Sequence, residues 1–185
     1  MDSKVCSMLM RGHGAWLMFL LILATPSAAA AQSHAITVGV GYQALRFDEL
    51  SFPLGFHADL GAGFDEHVSV VGEFGWARES VQQFGLRDIT TGLHLAGGGR
   101  WDFSPSHRLR AFGQILVGVE RNKTDIEKFG SVSTSAFLLQ PGGGIGFRIR
   151  GRQDLFGEVD LHRTTRQGES ANAVRVVVGV RVRIP

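Results

Sequence analysis

Three histidines and two glycine triplets are the residues of this chain that first invite a chemical reading. His162 stands two positions before Thr164 and four after Glu158, a grouping in which a histidine can take a proton from a hydroxyl nucleophile. His67-Val68-Ser69 repeats the pair with serine. His57, His94 and His162 offer three imidazoles, a set that holds a metal only if the three converge. Gly97-Gly98-Gly99 and Gly142-Gly143-Gly144 have the composition of phosphate-cradling loops, but such loops open a helix and neither triplet precedes one. Whether any of these sets can act depends on the elements that carry them.

The first thirty residues differ from the rest. Lys4 and Arg11 precede an apolar run from Ala15 to Thr25, and Ser27 to Ala31 is almost all alanine. This is the pattern of a secretory signal peptide cut after Ala31, so residues 1–31 are expected to be removed and 32–185 to form one domain. The 11-residue run is too short for a helical anchor, which needs about 20 apolar residues. Removing Lys4, Arg11 and Asp2 takes the net charge from +2 to +1, and removing Cys6 leaves no cysteine. A nearly neutral chain without clustered bases excludes nucleic acid as a partner, and the lack of thiols excludes disulfides and cysteine-ligated zinc.

Beyond Ala31 the apolar residues recur every second position, the period of strands. Eight such runs are read at Ile36 to Phe47, Leu54 to Phe64, Val68 to Arg78, Ile89 to Phe103, Leu109 to Glu120, Ser135 to Arg150, Leu155 to Arg163 and Ala173 to Ile184. In the last, Val174, Val176, Val178, Val180, Val182 and Ile184 share one face, and Arg175, Val177, Gly179, Arg181 and Arg183 share the other. Connections alternate in length: long at Asp48 to Pro53, Glu79 to Asp88, Arg121 to Thr134 and Thr164 to Asn172, short at Asp65 to His67, Ser104 to Arg108 and Gly151 to Asp154. In an antiparallel up-and-down sheet this sorts all long loops to one end.

Such a sheet can close with its apolar face toward water-free protein or toward lipid. The polar face mixes glycines such as Gly39, Gly61, Gly75, Gly142 and Gly179 with long charged side chains, which suits a crowded lumen better than a wet surface. The acids there are Asp59, Glu73, Asp102, Glu120, Glu158 and Asp160; the bases are Arg100, Arg110, Arg148, Arg150, Arg175, Arg181 and Arg183, without lysine. Near-equal counts of acids and fork-shaped guanidiniums are what an enclosed ion-pair network requires. Phe64, Trp101, Phe103 and Phe147 near the short turns, and Tyr42, Phe74, Trp76 and Phe137 near the long loops, form two aromatic belts on the apolar face.

With signal peptide, eight alternating strands, glycine-rich polar face and alternating connections, the chain resembles the small eight-stranded outer-membrane barrels of the OmpA/OmpX type. The resemblance implies an all-β, eight-stranded antiparallel up-and-down transmembrane barrel in a bacterial outer membrane, with short turns periplasmic and long loops outside. It implies outer-membrane lipid and the barrel assembly machinery as partners, and no second domain. The terminal aromatic usual in the family is replaced by Val182-Arg183-Ile184-Pro185. The His162 and Thr164 pair is similar to the His-x-Ser pair of lipid A deacylases, but alternation points His162 into the lumen beside Glu158 and Asp160, and His67 falls at a short turn. His57, His94 and His162 fall at different heights on different walls, so no shared metal is expected. The expectation is therefore a plugged polar lumen with no cofactor, metal or catalytic set, and a structural or surface-interaction role. Any external ligand would meet the loop Arg121 to Thr134, with Ile126 and Phe129. Two other readings stay open: a lipid A-modifying rim enzyme, which needs His162 and Thr164 to face the outer leaflet, and a soluble periplasmic barrel with a hydrophobic ligand, which needs Val174 to Val180 to face inward.

Overall fold

The computed structural model describes residues 35–47, 51–83, 86–103, 108–126 and 130–184; the expected signal segment 1–31 and the loop-tip residue Phe129 lie outside them. Nine strand segments are present among the described residues: β1 Ile36–Phe47, β2 Ser51–Phe52, β3 Leu54–Gly63, β4 Val68–Gln83, β5 Leu86–Asp102, β6 Leu109–Ile126, β7 Gly130–Arg150, β8 Gln153–Arg166 and β9 Glu169–Ile184. Each long strand pairs antiparallel with the next, and β1 pairs with β9 from Ile36↔Ile184 to Phe47↔Ala173, which closes the wall. The barrel has eight walls because β2 and β3 are one strand broken at Pro53. A proline has no N–H for the ladder, and the pairing with β1 slips by one residue across it, from Leu45↔Phe52 to Tyr42↔Phe56.

The apolar face of each long strand points outward, whereas Phe52 of β2 is buried with Leu45 and Ala77. Val174, Val176, Val178, Val180, Val182 and Ile184 are exposed, whereas Arg175 and Val177 on the opposite face have no exposure at all. A soluble barrel with a hydrophobic lumen would show the reverse, so that reading is corrected. Closure also abolishes free strand edges, which a sheet must do to cross hydrocarbon.

The expected long loops are mostly strand. β6 and β7 have 18 and 21 residues, against the roughly 9 to 11 that cross a bilayer, and their ladder continues to Ile126↔Gly130. The β4–β5 ladder continues to Gln83↔Leu86 and the β8–β9 ladder to Arg166↔Glu169. The regions read as loops at Glu79 to Asp88, Arg121 to Thr134 and Thr164 to Asn172 are therefore hairpin extensions on one end of the barrel. Apolar alternation stops there because both faces meet water, while backbone hydrogen bonding does not stop.

The turns follow local backbone chemistry. At the long-hairpin end, Gln167 and Gly168 both have positive φ (50° and 91°), the requirement of a two-residue type I′ turn whose twist matches the strands it joins. At the short-turn end, the Asp65 carboxylate accepts hydrogen bonds from the backbone N–H groups of His67 and Val68, each at 2.7 Å. The His67 and Val68 amides hold the Asp65 carboxyl below its ordinary value because they bond its ionised form. This turn is thus braced above the ordinary carboxylate range and loses the brace as pH falls through the depressed value.

Val178 and Val132 test the division into membrane wall and hairpin extension, since they are similarly exposed (53% and 60%) but only Val178 lies in the apolar band. Val178→Arg is expected to cost roughly 2 to 4 kcal/mol and Val132→Arg within about 0.5 kcal/mol of zero, read from urea unfolding in lipid vesicles. Equal costs would contradict the assignment. Gly168→Val should destabilise by roughly 1 to 3 kcal/mol in the same assay, because a β-branched residue is strained at that φ.

Candidate functional site

The lumen is where this sequence concentrates its titratable groups, and the strand pleat delivers them there. Buried inside are the acids Asp59, Glu73, Glu120, Asp154, Glu158 and Asp160, the arginines Arg100, Arg110, Arg175 and Arg181, and His57, His94 and His162. Space for them comes from glycines placed directly across the ladder. Gly75 faces His94 and Gly142 faces Asp160 in register, and a Cβ on either glycine would collide with that side chain.

Arg175 on β9 is the centre. Its Nη1 donates to Glu73 Oε1 at 2.5 Å and its Nη2 to Glu73 Oε2 at 3.0 Å, a two-oxygen grip across the barrel. Nη2 also donates to Glu158 at 2.6 Å and to Asp160 at 2.6 Å, and Nε to Asp160 at 2.9 Å. One guanidinium so ties β4, β8 and β9 together. Asp59 and Glu73 sit opposite each other on β3 and β4, a like-charge pair. His57 relieves it by bonding Asp59 at 3.1 Å while its other ring nitrogen faces Arg175 at 3.4 Å.

Toward the short turns, Arg181 donates to both oxygens of Asp59 at 3.1 and 3.0 Å. Arg100 donates twice to Gln114 Oε1 at 3.0 and 2.7 Å, and Gln114 in turn donates to Asp160 at 3.1 Å. Arg100 and Arg181 lie over the Phe112 ring at 4.8 and 5.4 Å, and Arg181 over Phe156 at 4.2 Å. These aromatic faces help carry charge that the carboxylates do not reach. Lower still, Arg110 pairs with Asp154, which Arg148 approaches at 3.7 Å.

Toward the long hairpins, His94 donates to Glu73 at 3.0 Å and Gln140 donates to the same oxygen at 3.1 Å. His162 lies between Gln140 Oε1 at 3.0 Å and Glu120, with which it makes a short hydrogen bond. The rings of His94 and His162 come from separate walls, as expected, but are 5.3 Å apart, which corrects the expectation that the inward histidines lie at different heights. A narrow lumen brings side chains from opposite walls together. Even so, the described residues contain no group of three or more donors arranged to hold a metal.

Of the thirteen residues expected in the charge network, Asp59, Glu73, Arg100, Glu120, Glu158, Asp160, Arg175 and Arg181 join one connected cluster, and Arg110 and Arg148 meet at Asp154. Asp102 and Arg183 are half-buried near the short-turn end and make no ion pair among the described residues. Arg150 is exposed, a correction: a register shift between Arg148 and Arg150 opposite Asp154 and Gln153 breaks the alternation there and turns Arg150 out of the lumen. Gln43, Gln114, Gln140, Asp154, Phe112 and Phe156 were not among the expected set. Their parity along the strands places five of them inside; Asp154 was read as a turn residue.

The nucleophile readings find no geometry. His162 is fully buried, and both its ring nitrogens are engaged, by Gln140 and Glu120, leaving neither for Thr164. His67 is exposed and packs its ring 6.0 Å from that of Trp101, outside the lumen. The glycine triplets lie within β5 and β7, where a Cβ on Gly98 would strike the Ile115 carbonyl of the next strand. Close packing of the wall accounts for Gly98 and for Gly142, Gly143 and Gly144, whereas Gly97 and Gly99 have room for a side chain.

A closed barrel of this kind has relatives. Residues 15–184 match the family model of the outer membrane protein beta-barrel domain. Among solved structures, the attachment invasion locus protein Ail of Yersinia pestis, in complex with the heparin analogue sucrose octasulfate, is 16% identical over 83% of this chain and 100% of that chain, with TM-score 0.60. Neisserial surface protein A is 10% identical over 83% and 97%, with TM-score 0.61. A major outer membrane protein of Thermus thermophilus is 9% identical over 82% and 100%, with TM-score 0.63. No curated protein sequence matches. The solved structures share the closed barrel, and because the family model spans nearly all of the sequence, this chain belongs to the outer membrane protein beta-barrel domain family, a bacterial outer-membrane barrel.

Proposed function

We propose that this barrel is a non-conducting, non-catalytic scaffold of the outer membrane, with its lumen plugged by its own ion pairs and its extended hairpins offered as an interaction surface outside the cell. The observation that carries the reading is Arg175, wholly without solvent exposure and bonded at once to Glu73, Glu158 and Asp160. A guanidinium held by three carboxylates across an eight-stranded lumen leaves no continuous path for water or ions, since a barrel of this size has room only for side chains. Supporting the absence of catalysis, the buried carboxylates and histidines are engaged with arginines, glutamines and one another inside the wall, where no lipid or soluble substrate reaches them. A rim enzyme would need His162 at the lipid face, and its side chain points the other way.

The role left to the molecule is at the hairpins. The β6–β7 extension, which includes the segment 121–134, carries Arg121 bonded to Ser133 at 2.9 Å and Lys123 paired with Asp125 at 2.9 Å. Strands are stiffer than loops, so a partner would meet a preformed polar ribbon rather than a mobile tip.

In planar bilayers the native barrel is expected to carry no steady current, and the double variant Arg175→Ala with Glu73→Ala to open a measurable one. A long-lived conductance of the native protein would overturn the plug. Arg175→Met alone should destabilise by about 3 to 5 kcal/mol, because it strands carboxylates without a counter-charge, and adding Glu73→Gln should recover part of that loss in urea unfolding.

A further inference from the structure

The short-turn mouth of the lumen lacks the matched pairs found higher up. Three inward-facing arginines stand there: Arg110 on β6, Arg148 on β7 and Arg183 on β9. Arg110 is in register with Gly146, the inward position on β7 next to Arg148, and Arg183 is the inward position on β9 next to Arg181, which is in register with Asp154. One carboxylate serves them. Asp154 pairs with Arg110, and Arg148 Nε stands 3.7 Å from Asp154 Oδ1, beyond hydrogen-bond reach. Arg183 makes no ion pair among the described residues. Asp102 faces this end from β5, in register with Phe112, and pairs with none of the three. Asp65 is engaged by the His67 and Val68 amides of its own turn.

Two further observations distinguish this cluster from the exposed arginines around it, Arg108, Arg150 and Arg152, which water solvates. The Arg110 side chain is only 9% exposed, yet its Nε has no hydrogen-bond partner. A buried N–H left unpaired on a charged group costs free energy that a bound acceptor would recover. There is also room beside it. On β7 a Cβ at Gly142 or Gly144 would strike Asp160 or the Gly157 carbonyl, whereas at Gly146, itself buried, it would meet only the Leu155 carbonyl oxygen at 4.0 Å. Across the lumen, β1, β3 and β4 present Thr37, Gly61, Gly63 and Ser69 at these levels, all small.

We propose that Arg110, Arg148 and Arg183 form a binding site for a small tetrahedral oxyanion, inorganic phosphate or a phosphate monoester, inside the short-turn mouth of the lumen. A guanidinium fork matches two oxygens of such an anion. A tetrahedral anion offers acceptors in several directions, so it can take the Arg110 Nε–H while meeting Arg148 and Arg183 from other sides; a planar carboxylate serves one fork at a time. With the short turns in the periplasm, the site opens to that compartment. The inference goes beyond the scaffold reading and does not depend on closure at Arg175, which lies deeper in the lumen.

The test titrates the folded full-length barrel, in a phosphate-free maltoside detergent, with sodium phosphate in a calorimeter, against sodium chloride of matched ionic strength. Native protein is expected to bind phosphate and not chloride. Arg183→Gln breaks no ion pair and should weaken binding about tenfold, and the triple variant Arg110→Gln, Arg148→Gln, Arg183→Gln should abolish it. Each variant must still shift its gel mobility on boiling, which shows that it folds; should the triple variant fail to, Arg183→Gln decides. Arg150→Gln with Arg152→Gln removes exposed bases outside the lumen and should bind as the native protein does. The proposal is overturned if phosphate gives native protein no heat beyond that of chloride, if Arg183→Gln binds unchanged, or if the exposed pair loses affinity equally. It is also overturned if phosphatidylglycerol added to the micelles binds where free phosphate does not, which would move the contact to the outer wall.

Discussion

A carboxylate sealed inside a lipid-wrapped wall has no water to turn to, and this barrel meets the need with a single guanidinium that holds three of them. Arg175 spans from β9 to Glu73 on β4, and collects Glu158 and Asp160 from β8 on the way. Much of the remaining lumen is arranged around what Arg175 cannot satisfy. His57 separates Asp59 from Glu73, Arg181 takes Asp59, Gln140 and His94 take the remaining capacity of Glu73, and Gln114 bridges Arg100 to Asp160. Six buried acids face four buried arginines, and the excess of two stands where His94 and His162 bond Glu73 and Glu120. In a low-dielectric enclosure a network like this is either complete or costly, so its members constrain one another's positions.

That network in turn fixes the backbone. Large lumen groups are opposed in register by glycine: Asp59 by Gly39, His94 by Gly75, Glu158 by Gly144, Asp160 by Gly142. The slip of any strand by one residue would put a glycine's partner into lipid and an apolar side chain into the ion pairs. The ordinary penalty of glycine in a strand is accepted because a side chain would occupy the space of its neighbour's charge. Register, closure and electrostatics are thus one constraint seen three ways.

The wall was legible because lipid on one side and packed polar groups on the other force a period of two. Hence Val174 to Ile184, Leu155 to Leu161 and their counterparts gave both strand and facing. Other features were hidden for physical reasons. The hairpin extensions lost their alternation once both faces met water, although hydrogen bonding carried β6 on to Ile126 and brought β7 in from Gly130. The bulge beside Arg150 reversed a facing that alternation assigns mechanically. Formal charge alone does not mark the glutamines and phenylalanines of the lumen, yet Gln114, Gln140, Phe112 and Phe156 link or shield the charges there. Distance along a strand was also a poor guide to separation in space: His94 and His162 come from β5 and β8 and still meet.

Function in such a barrel depends on which groups remain available. Inside the wall, most hydrogen-bonding capacity is spent on neighbours, although Glu158 Oε2, Asp154 Oδ1 and Arg110 Nε are buried without a hydrogen bond, and the apolar band has only dispersion and area to offer lipid. Exposed arginines that make no ion pair among the described residues stand beyond both ends of the band, Arg78, Arg121 and Arg163 on the long-hairpin side and Arg108, Arg150 and Arg152 by the short turns. Exposed arginines are unremarkable singly, since water solvates them well.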